Sequence, residues 1–111
     1  MTRSPSPPNA VSGVFDTLLA RIIQGEYPPR SRLPPERELA VLLGASRPTL
    51  REALRRLDGW NVVEAQRGSG VVVRDRREWT IEVLPAWLRF GVADRPPAEL
   101  VALVEELLRL R

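Results

Sequence analysis

Three arginines at helical spacing, Arg47, Arg51 and Arg55, hold the most specific chemistry in this chain. Residues at i, i+4 and i+8 share one stripe of a helix. A guanidinium stays charged and offers a planar fork of donors that matches phosphate and the O6/N7 edge of guanine. Leu50, Ala53, Leu54 and Leu57 recur at i, i+3, i+4 and i+7 in the same segment, so its other side is a packing face. A helix entering the major groove needs this division, with one side held by a core and the other bearing long donors. Ser46 and Thr49 add hydroxyls for phosphate at the helix start, where free N–H groups also draw anions. Arg47 and Thr49 fall in the first turn, the part of a recognition helix that meets bases. Arg55 and Arg56 lie further along, within i+3 and i+4 reach of Glu52. The plain alternative for each arginine is a solvated surface charge paired with Glu36 or Glu52.

A second basic element is Arg67-Gly68-Ser69-Gly70, between two short β-rich runs. It is a hairpin turn in either reading. Arg67 at its tip is long enough to enter a minor groove, and Gly68 lets backbone approach a sugar-phosphate closely.

Other chemistries are poorly served. The chain has no cysteine and no histidine, which removes the thiol nucleophile, the disulfide, the commonest general base and the commonest transition-metal ligand. No nucleophile–base pair, paired-carboxylate cleft or phosphate loop is visible, and the GxG at Gly68–Gly70 is too short for a dinucleotide fingerprint. The reading is therefore not an enzyme. The net charge of +3 is uneven. Residues 1–77 hold thirteen Arg against eight acids, or +5; residues 78–111 hold four against six, or −2. The positive sign sits with the arginine stripe. All seventeen basic residues are arginine, which suits DNA but follows equally from an Arg-rich codon usage.

The elements that must position these groups are legible from periodicity. Residues 1–10 are Pro- and Ser-rich and read as a disordered tail. A first helix is expected over 11–24, from Val14, Phe15, Leu18, Leu19, Ile22 and Ile23. Residues 26–35, with four prolines, read as a loop whose Leu33 points inward. A second helix is expected over 35–43, with Pro35 in its first position, Leu39, Ala40 and Leu43 inside, and Gly44 closing it. The third, arginine-bearing helix starts at the N-cap Ser46, tolerates Pro48 in its first turn and ends near Gly59. Asn61 suits a left-handed turn. Strands are expected over 62–66 and 71–74, then a charged linker over 74–78. A helix over 80–90 should be bent or split by Pro85. A turn over 93–97 leads to a Leu-rich last helix over 98–111.

These motifs, in this order, resemble the GntR family of bacterial transcription regulators, and within it the FadR-like subfamily. The resemblance rests on Gly25, LPPERELA (33–40), LGASR (43–47), LREALRRL (50–57) and RGSG (67–70). It implies a winged-helix domain that binds a two-fold-related, double-stranded DNA operator as a homodimer. It also implies DNA contacts at Arg37, from the PxER motif, and at Arg47, Arg51, Arg67 and Gly68. The family usually has Gly where Arg30 and Asn61 stand, so a turn requiring positive φ would strain Arg30. Pro48 stands where a contact-making Thr is common.

The expected fold class is mainly α with a small β-hairpin: a winged helix-turn-helix over 11–75, then C-terminal helices. Residues 76–111 resemble the linker and first helices of the subfamily's effector and dimerisation domain, with Trp79 and Trp87 fitting that pattern. On this reading the chain is a fragment of a larger regulator, has no cofactor of its own, and leaves any effector ligand or metal to the missing part. Two alternatives stand beside it: a natural short protein whose last helix dimerises, or C-terminal helices that pack back on the winged helix. The functional expectation is a sequence-specific regulator, a repressor, with the third helix in the major groove and the wing in the minor groove. The alternative is a protein-interaction module using the Leu-rich end. No apolar run approaches the roughly 18 residues of a membrane span. The N-terminus lacks an apolar signal segment, so a bacterial cytoplasmic location is expected, nucleoid-associated when bound.

Overall fold

Six apolar side chains at helical spacing draw the first helix, α1 (Ala10–Ile23), into the middle of the molecule. Leu18, Leu19 and Ile22 are essentially inaccessible there. The computed structural model describes residues 10–68 and 70–91, with four further helical positions at 102, 105, 106 and 109. The tail at 1–9, Ser69 at the hairpin tip, the turn expected over 93–97 and most of the last expected helix lie outside the described residues.

The second helix, α2 (Glu36–Leu43), starts one residue later than expected. Pro35 is its N-cap, at φ −53° and ψ 149°, because a proline needs no N–H there and its own φ suits the entry. Leu39 and Ala40 are buried, and Leu43 packs at the edge of the core. Gly44, at φ 62°, then turns the chain. A left-handed residue lets Ala45 N–H reach back to the Ala40 carbonyl at 2.9 Å, closing the helix end.

The arginine-bearing helix, α3 (Arg47–Gly59), has Ser46 as its N-cap and Pro48 in its first turn. Leu50, Ala53 and Leu57 are fully buried against α1. Asn61 follows at φ 60°. Two strands, β1 (Val63–Gln66) and β2 (Gly70–Val73), then pair antiparallel from Val63↔Val73 to Gln66↔Gly70.

Residues 26–35 are not wholly loop. Around Arg32 the chain runs along β2 as a short extended edge. Arg30 N–H donates to the Val73 carbonyl at 2.7 Å, Val73 N–H to Ser31 at 2.9 Å, and Leu33 N–H to Val71 at 2.9 Å. The flanking prolines forbid a helix, but extended backbone tolerates them at its ends. The pairing also places Leu33 in the core, where it is 6% exposed. Arg30 enters it at φ 70°, so the turn does require the left-handed conformation.

The charged stretch after β2 is also tied down. The Asp75 carboxylate accepts from Arg77 N–H at 3.0 Å and starts a 3-10 turn, Arg76–Glu78. A second 3-10 turn, Ile81–Val83, leads into α4 (Leu84–Gly91). Pro85 splits the expected helix at that junction and sits in the first turn of α4, where no backbone donor is needed. Trp79, Val83 and Trp87 are buried in the same cluster as α1 and α3. Of the readings for the C-terminal third, packing back on the winged helix describes residues 79–90.

Candidate nucleic-acid interface

The core that fixes α3 also fixes which way its arginines face. With Leu50, Ala53 and Leu57 inward, Arg47, Arg51, Arg55 and Arg56 are all exposed. The stripe is real as a surface feature, and the short α2–α3 turn sets α2's first turn beside it. The consequence is an ion-pair arrangement. Arg47 Nε donates to Glu36 Oε1 and Arg51 Nε donates to Glu36 Oε2, each at 2.9 Å. One carboxylate of α2 thus holds two of the four arginines of α3, Arg47 and Arg51. Their side chains remain about half exposed, at 52% and 55%, with Glu36 at 29%. Hydrogen bonds from Arg51 first and Arg47 second hold the Glu36 carboxyl below the usual glutamate range. Further along, Arg55 pairs with Glu52.

The helix start is organised around the expected N-cap, Ser46. Ser46 Oγ accepts from Thr49 N–H at 3.2 Å and donates to Thr49 Oγ1 at 2.8 Å. Thr49 is 7% exposed. Both hydroxyls thus take part in the cap, with Thr49 on the inner half of the first turn. The physical reason is periodicity: Thr49 adjoins Leu50 on the inner half of the turn and leaves the outer half to Arg47 and Arg51.

Arg37 is exposed on α2, and Arg67 is exposed at the hairpin tip. Among the described residues neither has a carboxylate partner. Gly68, at φ 76°, adopts the left-handed conformation that lets the strands turn. Arg32 was missed by sequence reasoning. It stands exposed on the edge beside β2, opposite Val72. Its only signal was an alternation of three residues, with Leu33 inward, hidden between prolines. Glu36 was legible as a possible partner but not as a shared one.

No group of three His, Cys, Asp or Glu side chains among the described residues could hold a metal ion. No described helix is long and apolar enough to cross a membrane.

Comparison with known proteins decides the family. Residues 10–73 match the family described as bacterial regulatory proteins, gntR family. The chain belongs to the gntR family. The match runs from the first residue of α1 to the last of β2, which is the winged helix. The HTH-type transcriptional regulator Mce2R of Mycobacterium tuberculosis is 41% identical over 100 residues, covering 88% of this chain and 39% of that protein. The fatty acid metabolism regulator protein of Shewanella amazonensis is 36% identical over 96 residues, covering 85% of this chain and 38% of that protein. This gntR-family chain therefore spans about two fifths of the length of these relatives, and the FadR-like resemblance is borne out. Among solved structures, AraR(DBD) in complex with operator ORX1 superposes with a TM-score of 0.55 at 26% identity, over 66% of this chain and 92% of that one. The fold is a GntR-type winged helix, the DNA-binding part of a transcriptional regulator of this family.

Proposed function

We propose that this chain reads a two-fold-related operator as a dimer, with α3 in the major groove and the β1–β2 wing in the minor groove. The observation that carries the reading is the outer face of α3. Arg47 and Arg51 stand there in the first two turns, with Leu50, Ala53 and Leu57 anchoring the inner face. The contacting set is Arg37, Arg47 and Arg51 from the helices, with Arg67 and the Gly68 backbone from the wing; Ser46 serves through its cap. The structural likeness to AraR(DBD), solved in complex with an operator, supports the groove assignment. A dimer belongs to this reading, since two recognition helices one turn apart read a palindrome that one cannot. Residues 11–75 are the reading head. Residues 79–87 brace that head through Trp79, Val83 and Trp87, and the pairing of protomers is assigned to the C-terminal part beyond them. Repression is the simplest sign, because occupancy alone excludes a competing protein. A chain with this job works in the bacterial cytoplasm.

The test is selection of bound sequences from a random duplex pool, then affinity of Arg47→Ala and Arg51→Ala for the enriched site. Each variant should lose about 1–3 kcal/mol on that site with its fold intact. Log affinity of the wild type should fall with log salt by roughly 0.9 per phosphate neutralised. Unchanged affinity in both variants defeats the groove assignment. Salt-independent association with a protein, and no duplex binding at low salt, supports the interaction-module reading instead.

A further inference from the structure

Glu36 is an odd residue to find on a phosphate-facing surface. A carboxylate there repels the nucleic acid backbone and cancels part of the charge that attracts it. Yet it sits between Arg47 and Arg51, and both contacts are made through the arginine Nε, at 2.9 Å each. That choice of atom matters. A guanidinium can fork onto an acceptor pair either end-on, through Nη1 and Nη2, or side-on, through Nε and one Nη. With Nε committed to Glu36, only the end-on fork is left for each arginine, pointing away from α2. Exposed single ion pairs contribute little to stability, so a shared carboxylate has more to offer in orientation than in holding the fold.

We infer that Glu36 is a positioning residue for base discrimination: it holds Arg47 and Arg51 in the end-on orientation that reads guanine O6 and N7. The inference rests on the operator reading proposed above. Glu36 does not touch the duplex; it acts through the two guanidiniums. Its lowered carboxyl pKa agrees with a carboxylate that stays ionised between two cations at neutral pH. Two unclamped arginines would still neutralise phosphate, so loss of Glu36 separates affinity from specificity.

The experiment compares Glu36→Gln with the wild-type chain on three duplexes: the selected operator, the same operator with its contacted guanines changed to adenine, and an unrelated sequence. In the wild type the Nε–H signals of Arg47 and Arg51 should exchange slowly with solvent, and in Glu36→Gln they should exchange at the rate of Arg37. Glu36→Gln should bind the unrelated duplex at least as tightly as the wild type. Its guanine-over-adenine preference should fall by about tenfold, the scale of one bidentate base contact. If every duplex shifts by one common factor and the preference stands, Glu36 only screens charge and the inference is wrong. Glu36→Asp guards against a folding artefact. It keeps the charge and the acidic first turn of α2 but is one methylene too short to span both arginines, so it should lose preference with an unchanged melting temperature. Retained preference in a folded Glu36→Asp likewise overturns the inference. Arg47→Ala and Arg51→Ala, run in parallel, isolate the parent reading. If they leave the preference intact, operator reading by α3 has failed; if they abolish it while both Glu36 variants do not, only the positioning role has.

Discussion

At the scale of single residues, two features have measurable consequences away from DNA. The first is the titration of Glu36. Its carboxyl is held low by Arg51 first and Arg47 second. A carboxylate whose folded value is depressed contributes stability above its unfolded value and loses it as pH falls through the folded one. The clamp should therefore persist at neutral pH and open only in acid, below the range where an ordinary glutamate protonates. Carbon-detected titration of Glu36 should show this midpoint, and Arg51→Ala should raise it more than Arg47→Ala does. The second feature is the pair of left-handed residues other than glycine among the described residues, Arg30 at φ 70° and Asn61 at φ 60°. An L-residue with a long side chain pays roughly 1 kcal/mol or more in the left-handed region, and Asn less. Arg30→Gly should raise stability by up to about 1 kcal/mol, less the extra freedom Gly gains in the unfolded chain. Asn61→Gly should change it little. Urea melts of the two variants check the ranking. The arginine stripe was legible because helical periodicity is local. The Glu36 clamp was not, because its partners lie 11 and 15 residues away across a turn, and only the crossing of α2 and α3 brings them together.

At the scale of elements, caps and breakers were read well and non-local pairing poorly. Ser46 was legible as an N-cap from its type and its place before an apolar-periodic run, and the hydrogen bond to Thr49 N–H is present at 3.2 Å. Ser46→Ala should cost about 1 kcal/mol. It should also loosen the first turn of α3, seen as faster amide exchange at Thr49 and Leu50 while Leu57 keeps its protection. Gly44 and Pro85 punctuated the chain as expected. The extended edge at Arg32 was not legible, since four prolines in ten residues say only that a helix is absent. Its pairing depends on β2, some forty residues later. The stretch 74–78 misled for a related reason. Charges suggested a solvated linker, but their partners are specific. Arg76 lies 5.6 Å from the Trp79 ring and 5.5 Å from that of Trp87, and donates to the Ile23 carbonyl at 3.1 Å. A guanidinium stacked near two indoles and bonded to the end of α1 is a fastening between elements. Composition records the charge and not the fastening.

At the scale of the whole molecule, the question is whether the reading head ends at residue 75. Family motifs place a boundary there, but the buried cluster does not. Trp79, Val83 and Trp87 continue the core formed by α1, α3 and the hairpin, and Trp87 is 1% exposed. The ring of Trp79 stands 5.1 Å from that of Trp87, so the two indoles support one another over α1. A domain boundary that cuts through a continuous core cannot also be a boundary of cooperativity. Removing the Trp87 ring should therefore destabilise the winged helix itself. The expected cost is about 3–5 kcal/mol, the usual range for an aromatic-to-alanine change in a core. For a small domain that is a large share of the total. Amide exchange distinguishes the two architectures. If α4 is part of one folding unit, Trp87→Ala should lower protection in α1, α3 and β1 together, by a common factor. If the winged helix folds by itself, loss of protection should stop at residue 78, and α3 should keep its wild-type rates. The first outcome has a functional corollary. Any movement of α4 would be felt at α1, and through α1 at the inner face of α3, by contacts within one core rather than through a hinge.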